Sequence, residues 1–259
     1  GILIMNHADL AGDSDAQMAL IAEAKDLFRR VREESGEVHL AQQALNMEAL
    51  CALAAGDAGE VLELLGDTAA PVTAREALIA SALQVKGQPE EAKSVLQVGI
   101  YQNLVLLFNY LPSYLVLCAG DPKRFDEVLR RAFAVSETFD FKRLHPGVLI
   151  GMYLSAAQGF IQQGKPEHAA DMLRQYADIV TGDIYPMRLK GDDFFDRIDG
   201  WLMELDLGTG LPRDEKTIRR GMADAVIRNP AFSALEGDPV YKSVTERLKA
   251  NAPEQAGTV

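Results

Sequence analysis

The chain has 259 residues, 48% of them hydrophobic and 25% charged, with a formal charge of −12. That hydrophobic share excludes a disordered chain, and the acidic balance, with no basic stripe, excludes nucleic-acid binding by these residues alone. Aromatics at 7% beside abundant Ala and Leu favour closely packed helices. No alternating run of Val, Ile, Thr and aromatic residues reads as a strand, so the predicted class is all-α.

The opening Gly1–Met5 is apolar but too short for a signal peptide, and it lacks a basic leader. Gly1 in place of an initiator Met is expected from a processed tag or an excised segment, the latter making these residues part of a longer chain. From Asp13 to Glu34 the spacing predicts a helix, capped by Asp13 or Ser14, with Ala16, Leu20, Ile21, Ala24, Leu27, Phe28 and Val31 on its apolar side. It is expected to cap a stack of helices, making residues 1–36 an N-terminal segment. The longest apolar candidate for a membrane span, Leu104 to Cys118, falls short of the roughly 20 residues required. Asn109, Tyr110, Pro112 and Ser113 also interrupt it. A cytoplasmic protein without a membrane partner is therefore expected. Cys51 and Cys118 both sit in apolar helical runs and read as reduced core residues.

A repeat dominates the middle of the chain. GDAGEVLELL from Gly56, GQPEEAKSVL from Gly87, GDPKRFDEVL from Gly120 and GKPEHAADML from Gly164 align without gaps, their glycines 31, 33 and 44 residues apart. Five residues after each Gly comes Val61, Ala92, Phe125 or Ala169, and nine after it Leu65, Leu96, Leu129 or Leu173. Gly can close one helix in a left-handed conformation, Pro two residues on suits the first turn of the next, and Glu60, Glu90, Glu91 and Glu167 complement that turn's dipole. Each unit then reads as a helix, a tight turn and a second helix. A small residue seven before each Gly (Ala49, Ala80, Ser113, Ala157) suits close approach of the paired helices. The 44-residue interval implies longer helices or an insertion around Phe139 to Pro146.

The G-x-P-x-x-A turn, the small residue before it and a period near 33 resemble tetratricopeptide repeats. The match covers about residues 37 to 180, with Ala58 in place of Pro and bulky Phe125 in place of a small residue. The resemblance implies a right-handed superhelix of antiparallel helix pairs over 37–182. Beyond it, residues 183–259 are expected to supply C-terminal helices packing on the stack: Asp192 to Leu207, Lys216 to Ile227 and Asp238 to Ala250, broken by GTGLPRDE and followed by the polar tail NAPEQAGTV.

Three tail segments, GDDFFDRIDGWLMELDLG (191 to 208), PRDEKTIRRGM (212 to 222) and NPAFSALEGDPVYKSVTERL (229 to 248), resemble the end of bacterial Xre-type regulators. In those, a DNA-binding helix-turn-helix precedes tetratricopeptide-like repeats, and the related Rgg/PlcR-type sensors bind short peptides in the repeat groove. The resemblance implies a sensing and dimerising domain that reaches DNA only through a helix-turn-helix outside these 259 residues. Its partners would be a peptide or protein ligand and a second copy of the chain, with neither cofactor nor catalysis. A stand-alone adaptor holding a partner protein is the competing reading.

In such repeats the first helix of each pair lines a concave face. Counting back from the glycines nominates Gln43 and Asn46, Ser81 and Gln84, Tyr110 and Tyr114, and Gln158 and Gln162. Amides and phenols suit a peptide backbone, and the rings add apolar contact. Alternatively, the chain's own C-terminal helices fill the groove.

Other constellations are weaker. DDFFD at Asp192 to Asp196 has the D-D-x-x-D spacing of all-α diphosphate enzymes, which places the first and last Asp on one side of a helix. No second metal-binding cluster accompanies it, and an acidic helix start explains it more simply. Lys142, Arg143 and His145-Pro146 form a small positive spot, read as a helix boundary before an anion site. Trp201 reads as core or dimer packing. No zinc spacing, P-loop, nucleophile elbow or Rossmann fingerprint is present.

Overall fold

The computed structural model describes residues 1–8, 11, 13–67, 74–205 and 213–252, which are mainly helical with no strand among them. The chain forms two compact units, Gly1–Thr73 and Ala74–Val259, a division that falls between the first and second repeat hairpins, inside the 37–182 stretch.

In the first unit, α1 (Ile2–His7) and α3 (Val38–Ala54) pack on α2 (Ser14–Glu34), and α4 (Ala58–Leu65) folds back on α3. Asp13 starts α2 as expected, its carboxylate accepting from the Ala16 N–H at 2.7 Å. Gly56 adopts φ +81° between α3 and α4, the left-handed conformation the repeat signature calls for. The core is small: Ala8, Ile21, Ala24, Phe28 and Cys51, bordered by Ile4, Met5, Leu20 and Met47. Beside it Glu48 is buried and accepts from Arg32 Nε at 2.7 Å, joining α3 to α2.

The second unit opens with the hairpin of α5 (Arg75–Val85) and α6 (Pro89–Leu117), turned at Gly87, φ +76°. The second helix of the second repeat and the first helix of the third are one continuous 29-residue helix, where two were expected. Nothing in the stretch stops it. Gly99 is tolerated inside and lies against the Glu76 side chain, and Pro112 costs one backbone hydrogen bond without ending the helix. α7 (Pro122–Thr138) follows, and the expected insertion is a short helix, α8 (Phe141–Leu144). The fourth repeat is the hairpin of α9 (Pro146–Gln162) and α10 (Pro166–Val180), turned at Gly164 with φ +68°. Pro occupies the first turn of α6, α7, α9 and α10, where its missing N–H costs nothing.

The repeat positions divide. Ala80, Ala92, Ala157, Ala169, Leu129 and Leu173 are buried, whereas Leu65, Leu96 and Ser113 are exposed. Phe125, the bulky exception, is fully buried against Gly159 and Phe160 of α9; a Cβ on Gly159 would lie 2.2 Å from its ring. The missing side chain at 159 makes the room that Phe125 takes.

The expected helix from Asp192 to Leu207 is mostly absent. Residues 191–198 form turns, and only α11 (Asp199–Glu204) is helical. The Asp192 carboxylate accepts from the Phe194 and Phe195 N–H groups at 2.9 and 2.8 Å, so it stabilises a turn. The apolar pattern still finds the core, with Phe195, Ile198 and Leu202 buried. Trp201 packs edge-on to Tyr101 at 6.0 Å. At the C-terminal end, α13 (Pro239–Asn251) packs on α10 and on α12 (Glu215–Ile227), and a 3-10 turn, Pro230–Leu235, lies against α9. The sequence also predicts a loop over residues 66–73; its part from 68 to 73, the part of the GTGLPRDE break from 208 to 212 and the tail from 253 lie outside the described residues.

Candidate functional site

The eight nominated groove residues lie on the helices expected, mostly facing solvent. Gln43 and Asn46 are exposed on α3 in the first unit, Gln43 Nε2 lying 3.3 Å from His39 Nε2. In the second unit, Ser81 donates to the Ala77 carbonyl at 2.9 Å, Gln84 and Gln162 are exposed, and Gln158 is half-buried. Of the eight, Tyr110 and Tyr114 share one turn of α6 and are 67% and 45% exposed.

These two tyrosines belong to a longer stripe that counting from the glycines missed. Leu96, Ile100, Asn103, Leu107, Tyr110, Tyr114 and Leu117 are all exposed on α6. They alternate four and three residues apart, the 3.5-residue period of a helix–helix seam. The core side of α6 is a separate set, Ala92, Gly99, Tyr101, Phe108 and Leu115. Length and apolar composition together would let α6 cross a bilayer, contrary to the sequence expectation. The apolar content is divided between core and stripe. Toward its start the stripe walls an apolar cleft of about 440 Å³, shared by Leu96, Ile100, Asn103 and Leu107 with Ala74 and Ala77.

The second feature is a basic cavity of about 460 Å³. Lys142 and Arg143 of α8 stand on one wall, His145, Pro146 and Gly147 at the start of α9 on another, and the strap 183–190 supplies Asp183, Tyr185, Arg188 and Lys190. Pro146 does begin a helix, so the sequence boundary is real; the chain also brings two further cations to the same place. Arg188 and Lys190 stand more than 40 residues beyond Arg143 and carry no motif. The one sequence signal for them is two closely spaced cations in a strongly acidic chain. Arg143 lies 3.8 Å from Asp140, whereas Lys142, Arg188 and Lys190 form no ion pair among the described residues. His145 Nδ1 is buried without a hydrogen-bond partner, and burial pushes the imidazole below its ordinary pKa. No side chain caps the first turn of α9. The strap is held from behind: the Tyr185 hydroxyl donates to Met222 Sδ at 3.2 Å, and the Arg219 guanidinium covers the Tyr185 ring at 3.7 Å.

The DDFFD segment is occupied structurally. Asp196 Oδ1 accepts from Gln97 Nε2 at 2.7 Å, Gln97 Oε1 accepts from the Arg197 N–H at 2.9 Å, and Arg197 pairs with Glu90. Among the described residues no group of three or more His, Cys, Asp or Glu is arranged to hold a metal ion. No family model matches the chain, and neither the curated proteins nor the solved structures contain a match.

Proposed function

We propose that this chain is a non-catalytic binding domain, a tetratricopeptide-like superhelix that serves as the sensing and self-associating part of a bacterial transcriptional regulator. The Gly-turn hairpins and the likeness of the tail segments to Xre-type regulators support the reading. The α6 stripe carries it. Three heptads of exposed Leu, Ile and Tyr extend about 33 Å along one helix, a surface that leaves solvent when a second helix packs on it.

The stripe is complementary to itself in the antiparallel sense. With two copies of α6 related by a two-fold axis near Leu107, Leu96 of each meets Leu117 of the other, Ile100 meets Tyr114, and Asn103 meets Tyr110. Asn103 Nδ2 already donates to the Gly99 carbonyl at 2.8 Å, which leaves its Oδ1 to accept from a tyrosine hydroxyl. A polar pair inside an apolar seam fixes register. In a regulator, such a seam sets the separation of two DNA-binding heads, and a ligand acts by favouring one geometry of the pair.

Analytical ultracentrifugation of the chain from about 1 to 100 μM tests this. A reversible dimer is expected, and Leu107→Glu, which places like charges together on the axis, should raise the dissociation constant at least tenfold with helicity unchanged. A monomer throughout, or a dimer indifferent to L107E, sinks the reading and leaves the stripe to a foreign amphipathic helix, the adaptor function.

A further inference from the structure

We infer that the basic cavity between α8, the start of α9 and the strap 183–190 binds a small organic phosphate. The charge balance is the first ground. Acidic residues outnumber Lys and Arg by 38 to 26 in the chain, yet the cavity wall carries Lys142, Arg143, Arg188 and Lys190 against the single carboxylate of Asp183. Elsewhere some cations are spent on carboxylates, as where Arg130 and Arg131 both hold Glu127 at 2.8 and 2.7 Å, and others, such as Lys86 and Lys123, stand singly on the exposed surface. In the cavity three of four have no such partner among the described residues. Like charges gathered around a concavity repel one another and focus a positive potential into it, and an entering polyanion relieves that repulsion.

Shape and lining narrow the ligand. About 460 Å³ suits a metabolite-sized molecule and admits no folded chain. Pro146, Ile184, Pro186, Met187 and Leu189 line the rest of the wall, so one part of the ligand is apolar or planar while the other carries the charge. Arg143 and Arg188 offer planar forks and Lys142 and Lys190 point charges, the combination that holds a phosphate through several oxygens at once. The uncapped N–H groups opening α9 are further donors, and the His145 ring beside them lines the cavity and senses its occupancy. The strap that brings Arg188 and Lys190 is fastened to α12 through Tyr185, so these cations are positioned before a ligand arrives. The site is independent of the α6 seam; where both hold, it gives the regulator its effector class.

The test uses the full chain and pyrophosphate as the probe, at low ionic strength, with calorimetry for affinity and the ¹⁵N shifts of the His145 imidazole as the local reporter. Saturable binding that moves the His145 signals is expected, weakened at least tenfold in R188Q/K190Q and unchanged in R130Q/R131Q, which removes two cations from α7. Citrate separates phosphate from polycarboxylate chemistry: weaker binding than pyrophosphate supports the assignment, and tighter binding overturns it. Binding that survives R188Q/K190Q, or that leaves His145 unmoved, places the anion elsewhere and ends the proposal, as does no binding at millimolar pyrophosphate. Circular dichroism of R188Q/K190Q verifies that the loss is not unfolding.

Discussion

The two compact units solve the problem of burying helices with different materials. The second fills its centre with rings: Tyr101, Phe108, Phe125, Phe141, Phe160, Phe195 and Phe232 are buried, several edge-on or stacked, as where Phe108 and Phe141 lie 4.3 Å apart. The first has Phe28 as its one buried ring among the described residues, together with alanines, Ile21 and Cys51, and it buries the carboxylate of Glu48. Helices lined with Ala approach closely but remove little apolar area per contact. A unit built that way leans on individual polar contacts, whereas one built on aromatics has many redundant ones and fails by overpacking.

The largest effect is therefore expected from the smaller core. Arg32→Ala leaves the buried Glu48 carboxylate without its partner, and because Arg32 is itself partly exposed the loss is below that of a fully buried pair, about 2 kcal/mol. Hydrogen exchange should show faster opening of α2 and α3, with α9 and α10 unchanged. Because the loss comes from the stranded charge, Arg32→Met with Glu48→Met should recover most of it. A double variant as unstable as R32A would mean that the pair's own attraction, rather than the cost of an unpaired carboxylate, holds α2 to α3.

The second unit should break in the opposite way, by addition of an atom. Gly159→Ala improves helix propensity by about 1 kcal/mol, yet the new methyl meets the Phe125 ring. Overpacking of this kind costs about 2 kcal/mol, so net destabilisation is expected in urea unfolding. Combining G159A with Phe125→Leu should restore tolerance of the added methyl. If G159A is neutral alone, the Phe125 ring has freedom to move, and the close fit assigned to this core is wrong.

That pair also shows where sequence reading succeeds and where it stops. The turn glycines, the proline-led helices and the buried repeat alanines follow from local backbone and dipole rules, and they place most helices within a residue or two. Phe125 stands out as an exception to the repeat, but its accommodation by Gly159 lies 34 residues away on another helix, and no local rule connects them. The fusion of two expected helices into α6 turns on the absence of a stop signal, which a period of about 33 conceals. At 192–198 the acidic, apolar-spaced segment has a helix pattern. Asp192 accepting from the Phe194 and Phe195 N–H groups, and Gln97 accepting from the Arg197 N–H, give the backbone another way to satisfy its polar groups. The basic cavity was legible by half: Lys142, Arg143 and His145 are adjacent in sequence, whereas Arg188 and Lys190 join them only through the path of the strap.

The smallest effects separate two buried phenols within the aromatic core. Tyr176 donates to the Met222 carbonyl at 2.6 Å, so Tyr176→Phe should cost about 1 kcal/mol by removing that hydrogen bond. Tyr101 is equally buried, but its hydroxyl has no partner, and burial pushes its pKa up to about 12. Tyr101→Phe keeps the edge-on contacts with Phe195 and Trp201 and removes an unpaired dipole, so a gain of up to about 1 kcal/mol is expected. The pH dependence follows from the same burial. Above the ordinary tyrosine value near 10 the unfolded chain loses the proton of residue 101 while the folded chain keeps it, so stability falls as pH rises toward 12. Y101F should remove that share of the alkaline loss and leave the acid side of the profile unchanged. Should Y101F instead destabilise the protein at neutral pH, the hydroxyl has a partner in solution, and an ordered water bridging it to the unpaired His145 Nδ1 would be the first place to look.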